Sequence, residues 1–215
     1  MKIRYIGHSC FLFTSDAGIK LLIDPFDEKT MAGSPNLTVD AVLMSHGHAD
    51  HFNFSMVSGS TEVIFGAGRH DAGGVIVQGH LADHGSCNGE WLGNVICYGF
   101  QMDGVNILHL SDIGEVPCDS EIKEIGHVDV LFIPVGGHFT IGPEKAAEII
   151  EKINPSIVIP MHFSQPGLDR ADFPIKSVDE FVQDKNNVKH FRTGEAEINL
   201  ENLPDKQEVW VMTRF

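Results

Sequence analysis

Cysteine is scarce in this chain: Cys10, Cys87, Cys97 and Cys118 are the four in 215 residues, and they stand singly. With no CxxC pair and no dense spacing they exclude a disulfide scaffold, so free thiols in a reducing cytoplasm are expected. Long apolar runs are missing too. None approaches the roughly 18 residues a membrane-crossing helix needs, and 1-MKIRYIGHSCFLF-13 lacks the apolar stretch and small-residue cleavage site of a signal peptide. A soluble, cytoplasmic protein with no membrane partner is expected. Basic residues are few: 15 Lys and Arg against 30 Asp and Glu, a formal charge of -15. Such a chain repels a phosphate backbone, which argues against a nucleic-acid partner, although bound divalent cations would cancel part of that charge locally. Internal repeats, low-complexity segments and linker-like runs are absent, so one domain is expected over 1–215.

Twelve histidines are present, and their placement carries the information. The pattern of apolar residues predicts short strands at 2–6, 10–14, 19–24, 39–45, 62–65, 75–78, 94–100 and 105–111, with a hairpin turn at Asp103-Gly104. The second half changes character. An apolar run at 129–135, a helix with Pro143 at its first position over 143–153 and a strand at 156–160 make a βαβ unit. A helix over 177–184, with Ser177 as N-cap and Glu180 completing a capping box, and a strand at 208–215 complete the reading. Many strands first and βαβ afterwards suggest an α/β architecture of two sheets face to face with helices outside.

At 43-LMSHGHADHF-52, three histidines and an aspartate fall within six residues, just after a buried strand. Side chains two apart on extended backbone point the same way, so His46 and His48 can converge on one ion. Asp50 and His51 can face a second ion from the following turn. Imidazole and carboxylate suit zinc, and also iron or manganese. One loop cannot close two sites. Further ligand types come at the ends of later strands: His84, Asp112 and His162. A carboxylate such as Asp112 can bridge two cations.

HxHxDH followed by His, Asp and His after later strands resembles the metallo-β-lactamase superfamily. 7-GHSCFLF-13, 23-IDPF-26, 109-HLSDIG-114, 133-IPVGGHFTIGPEKAAE-148 and 159-IPMH-162 resemble its small cytoplasmic metal-dependent hydrolases, a branch similar to ascorbate-6-phosphate lactonases. The resemblance covers residues 3 to 165. It implies a four-layer αβ/βα sandwich with the site at one edge between the sheets. It also implies two divalent ions: His46, His48 and His84 around the first, Asp50, His51 and His162 around the second, and Asp112 between them. His8 and His138 would lie at the mouth and orient substrate or donate a proton. Asp24 is a candidate hydrogen-bond acceptor for a ligating histidine. In two places the chain departs from the pattern. Ser111-Asp112 replaces Gly-Asp, and His84-Gly85 replaces His-Asp, which removes a supporting carboxylate. By its place relative to Gly89 and Gly93, His84 is preferred to His80 as ligand; His70, His109, His127 and His190 are read as nonligands.

Two such cations, about 3.5–4 Å apart, can share a water and acidify it toward neutrality. The resulting hydroxide would attack an ester, lactone or phosphorylated small molecule while Asp50 also accepts a hydrogen bond from it. Assembly into a homo-oligomer is left open. Three alternatives compete. A phosphodiesterase or nuclease of the ribonuclease Z type has the same ligand set, but the charge and the lack of room for an RNA-holding arm oppose it. The flavodiiron branch has an acidic residue where this chain has His48. A nonenzymatic metal-binding protein on a decayed scaffold is opposed by seven filled ligand positions.

Overall fold

Alternation of apolar side chains over two buried faces builds the first sheet. The computed structural model describes residues 1–33, 35–59, 61–166, 168 and 174–214. It places β1 at Lys2–Gly7, β2 at Cys10–Thr14, β3 at Lys20–Ile23, β4 at Ala41–Leu43 and β5 at Glu62–Ile64. The second sheet draws on β6 (Gly68–Ala72), β7 (Val75–Asp83), β10 (Asn94–Met102), β11 (Val105–His109), β12 (Val130–Pro134), β13 (Ile157–Met161), β14 (Val188–Phe191) and β16 (Glu208–Met212). Between β7 and β10 lies a small hairpin of β8 (Ser86–Cys87) and β9 (Glu90–Trp91), while β15 (Glu195–Glu197) joins the first sheet. The helices are α1 (Asp119–Ile125), α2 (Pro143–Ile153) and α3 (Val178–Val182).

Strand order is β15-β1-β2-β3-β4-β5 in one sheet and β14-β16-β13-β12-β11-β10-β7-β6 in the other. The βαβ unit is present, with β12 and β13 parallel across α2. Odd and even positions go to different layers. Ile3, Tyr5, Phe11, Phe13, Leu21, Ile23 and Leu43 meet Val77, Tyr98, Phe100, Ile107, Phe132 and Ile159 between the sheets. On the far side of the second sheet, Leu108, Leu131, Ile133 and Val158 pack under Ala146, Ile149 and Ile150 of α2 and Phe181 of α3. The outer face of the first sheet, with Ile6, Leu12, Leu22 and Val42, is covered by irregular chain carrying Phe26, Met31, Val39 and Met56. The result is the expected αβ/βα sandwich, its outer layer on that side built from loops and a 3-10 turn at Phe54–Met56.

Local differences from expectation have local causes. β4 is shorter than 39–45 because Asp40 turns to accept from Lys20 N, and Ser45 turns to bond Asp24. β7 runs past 75–78 to Asp83 because β10 pairs with it along its polar end, Asn94 opposite Asp83. The N-terminus of α1 was hidden by Cys118, an unusual N-cap whose box is completed by Glu121. Ser177 does cap α3, but through Asp179 N, whereas Glu180 pairs with Lys176 at 2.9 Å and completes no box. The last strand ends at Met212, and residue 215 of the expected 208–215 lies outside the described residues. Among the described residues, no helix is long and apolar enough to cross a membrane.

Candidate metal centre

The residues that follow β1, β3, β4, β7, β11 and β13 meet at one end of the sandwich. Asp112 lies at the centre. Its Oδ2 is 3.0 Å from His51 Nε2, 3.2 Å from His162 Nε2 and 3.9 Å from both His46 Nε2 and His84 Nε2. His46, His48 and His84 form one group of convergent ligand atoms, with His84 Nε2 3.3 Å from His48 Nδ1. Asp50, His51 and His162 form a second, joined by His8, and His46, His51 and Asp112 link the two.

These residues fit divalent cations. His46 Nε2 and Asp112 Oδ1 are buried and have no hydrogen-bond partner. Their spacing also fits, since a tetrahedral ion with bonds of about 2.0–2.1 Å separates its ligands by roughly 3.3–3.4 Å. The other ring nitrogens of two of these histidines are held from behind. Asp24 Oδ2 lies 2.9 Å from His51 Nδ1 and accepts from Ser45 Oγ at 2.8 Å, and Ser45 Oγ is 2.8 Å from His46 Nδ1. One carboxylate thus orients a histidine of each group, the support that ligating imidazoles need. Ser111, which stands where the resemblance has glycine, donates from its hydroxyl to Asp24 Oδ2 at 2.8 Å and also bonds Ser45. The other departure has a counterpart as well. Beside Gly85, His84 Nδ1 is buried with no hydrogen-bond partner, and Asp83 is engaged by Gly85 N and the Trp91 indole instead.

The backbone around the cluster is unusual. His8, Asp24, Ser111, His138 and His162 all have left-handed backbone, with φ from 48° to 62°. This region is disfavoured for residues with a Cβ and concentrates at functional sites. Two glycines set the approach of the loops. A Cβ on Gly114 would strike the carbonyl oxygen of His84, and one on Gly136 would strike that of His162.

Electrostatics follow from burial and neighbours. Burial pushes His46 down to about 3 and His8 to about 4, so both rings are neutral near pH 7. His51 goes the other way: burial opposes its charge, but Asp112, Asp50 and Asp24 hold it well above the usual histidine range. Burial would raise Asp112, yet His162 and His51 hold it well below the usual carboxylate range. Without metal, a proton on His51 places positive charge among three carboxylates.

The two residues expected at the mouth part company. His8 is a correction: it is fully buried, because the left-handed turn after Gly7 tucks its ring beneath Asp50, with Nε2 3.2 Å from Asp50 Oδ2 and His162 N donating to its carbonyl. His138 is exposed and joins neither group; its Nε2 lies 3.5 Å from Cys87 Sγ. His80 lies away from both groups and lines a cavity of about 470 Å³ between β7 and α1, together with Glu124. His109 is no ligand either: its Nε2 lies 2.9 Å from Ser9 O and Ser111 N donates to its Nδ1. His70, in β6, bonds Gly66 O, and the exposed His127 bonds Asp129. Ser45 and Ser111 were missed as supports; a hydroxyl beside a ligand at a strand end was the available signal.

Comparison with known proteins bears out the resemblance. The model of the β-lactamase superfamily domain matches residues 2–162. A UPF0173 metal-dependent hydrolase of Carboxydothermus hydrogenoformans is 32% identical, with 80% of this chain and 88% of that protein covered. One from Pelotomaculum thermopropionicum is 30% identical over 91% of this chain and 99% of its own length. Among solved structures, a candidate Zn-dependent hydrolase of the metallo-β-lactamase superfamily from Thermotoga maritima superposes with a TM-score of 0.80 at 32% identity, covering 98% of this chain and 97% of that one.

Proposed function

The chain belongs to the β-lactamase superfamily and, within it, to the UPF0173 metal-dependent hydrolases, and on that premise we propose that it hydrolyses a small ester, lactone or phosphorylated metabolite at a centre of two divalent cations. Zinc is the first choice of metal, with manganese or iron as alternatives. The observation that carries this reading is Asp112 Oδ2, set within 3.0–3.9 Å of imidazole nitrogens from three separate loops. His46, His48 and His84 would hold one cation, Asp50, His51 and His162 the other, and Asp112 both. When bound, such cations acidify a water and stabilise the negative charge that develops on a substrate oxygen.

The remaining roles fall to the chain's own groups. Asp24 keeps His51 Nε2 facing inward directly and His46 Nε2 through Ser45. His8, neutral and buried, donates from Nε2 to Asp50 Oδ2 and so fixes which carboxylate oxygen is left for the cluster. His138, exposed on the rim, orients the substrate or passes a proton to the leaving oxygen. The net charge of -15 favours a small substrate over a polyanion.

The test is metal analysis of protein purified without chelator, followed by hydrolysis assays. Substrates would be p-nitrophenyl acetate, a γ-lactone, p-nitrophenyl phosphate and bis-p-nitrophenyl phosphate, each with added zinc, manganese or iron. Metal content approaching two equivalents is expected, with metal-dependent turnover of at least one monoester or lactone. Replete protein that holds no metal would sink the reading, as would turnover confined to the phosphodiester.

A further inference from the structure

Cys87 and His138 occupy two loops with different roots. The β8–β9 hairpin grows out of His84, whose N donates to Gly93 O at 2.9 Å, and it is closed by a two-residue turn with Asn88 at φ 50° and Gly89 at φ 83°. Pairing of Cys87 with Glu90 fixes the cysteine at the base of that turn. His138 sits on the loop after β12, which rests on His162 through Gly136; left-handed backbone at Gly137 and His138 turns the imidazole outward. The pair, Sγ to Nε2 at 3.5 Å, joins a loop rooted on a ligand of one metal group to a loop rooted on a ligand of the other. Hydrolysis as described above has no use for the thiol.

We propose that Cys87 is a covalent modification site: His138 takes its proton, and the sulfur accepts a soft carbon electrophile at the rim of the metal centre. An imidazole within hydrogen-bond reach of a partly exposed thiol is the setting in which cysteine becomes nucleophilic. Cys87 is half-buried and His138 exposed, so reagent can reach the sulfur and water can solvate the imidazolium. With an alkyl halide, the S–C bond forms as the carbon–halogen bond breaks, halide leaves, and the thiol proton passes to His138 Nε2.

The other cysteines are internal controls. Cys10 and Cys97 are buried, and burial pushes their thiols up. Cys118 is exposed, but its sulfur lies 2.9 Å from Ser120 Oγ and shares its turn with Asp119 and Glu121. Glu90, opposite Cys87, is the charge that the imidazole must outweigh.

The experiment treats the full, metal-free chain with iodoacetamide and follows each cysteine peptide by mass spectrometry. Cys87 is expected to react roughly tenfold faster than Cys118, with Cys10 and Cys97 protected. His138→Gln should bring Cys87 down to the rate of Cys118 and leave Cys118 unchanged, and continued protection of Cys10 and Cys97 shows that the variant is folded. His138→Asn, which tolerates left-handed backbone better, should do the same. The assignment is overturned if Cys118 keeps pace with Cys87, or if neither variant slows Cys87. These rates need no substrate, so they stand apart from the hydrolase reading. A further consequence rests on that reading: carbamidomethylation at Cys87 should slow p-nitrophenyl acetate turnover with metal uptake unchanged. Loss of metal uptake on modification would make Cys87 a ligand and overturn the assignment.

Discussion

Asp24 and Asp112 hold the same imidazole from opposite ends: Asp24 Oδ2 is 2.9 Å from His51 Nδ1, and Asp112 Oδ2 is 3.0 Å from His51 Nε2. A ring so placed keeps its proton in the absence of metal, since Asp112, Asp50 and Asp24 outweigh the burial that opposes it.

Metal uptake should therefore expel a proton. His51 carries a proton that a bound cation must displace, so apparent affinity should rise with pH above the ordinary histidine value of about 6.5. The raised value also sets the sign for stability. The contribution of His51 to the metal-free fold is complete below about 6.5 and is lost as pH climbs through the raised value. Calorimetric titration with zinc at pH 7, in two buffers of different ionisation heat, measures the release. A binding heat that does not depend on buffer would contradict it.

Asp112→Asn keeps the shape and removes the charge. An amide oxygen is a poorer ligand, and the two cations would be left underscreened. The second group, with two histidines against three, should lose its metal first. Hydrolysis should fall by roughly 10²-fold or more, with circular dichroism unchanged because the core strands do not depend on this side chain. An unchanged two-site isotherm with full activity would remove Asp112 from the centre.

His84 and His80 lie on the same stretch of chain but in different places: one in the metal group, one in the cavity beside Glu124. His84→Ala should abolish most first-group metal binding and activity. His80→Ala should leave metal content near normal by elemental analysis. The reverse result would mean that the register of β7 against β10 is wrong.

Two glycines allow a matched comparison. At Gly47, between His46 and His48, an added Cβ meets nothing within 4 Å, whereas at Gly114 it strikes the His84 carbonyl. Gly47→Ala should be close to neutral in metal affinity and thermal midpoint. Gly114→Ala must push His84 aside; it should weaken first-group binding and destabilise the fold by about 1–3 kcal/mol, the usual range for overpacking. Equal behaviour of the two variants would show that the His84 loop yields without consequence.

Much of this architecture was legible because period-two alternation and strand-end placement are local signals. The helix at Pro143–Ile153 was readable from Pro143 and its apolar spacing, and the seven ligand types from HxHxDH and the ends of β7, β11 and β13. What escaped was set by distant chain. β7 extends through Gly79–Asp83 because β10 lies beside it, and α1 begins on a cysteine. The resemblance places His8 at the mouth, yet it is buried under Asp50, forty-two residues away in sequence. Ser111 looked like a conservative swap for glycine; its bond to Asp24 depends on a strand eighty-seven residues earlier.

The left-handed residues of the site have a consequence for engineering. Asp24, Ser111 and His162 each hold a backbone that glycine would adopt without penalty, at a cost of about 1–2 kcal/mol apiece. A library selected only for heat resistance gains that relief at His162, where glycine would discard a side chain on which the metal centre is built, but not at Asp24, where it would also strip Ser45, Ser111 and His51 of their buried acceptor. Thermostable variants should accumulate changes in the outer layers freely, and selection must score metal retention together with melting temperature if the chemistry is to survive.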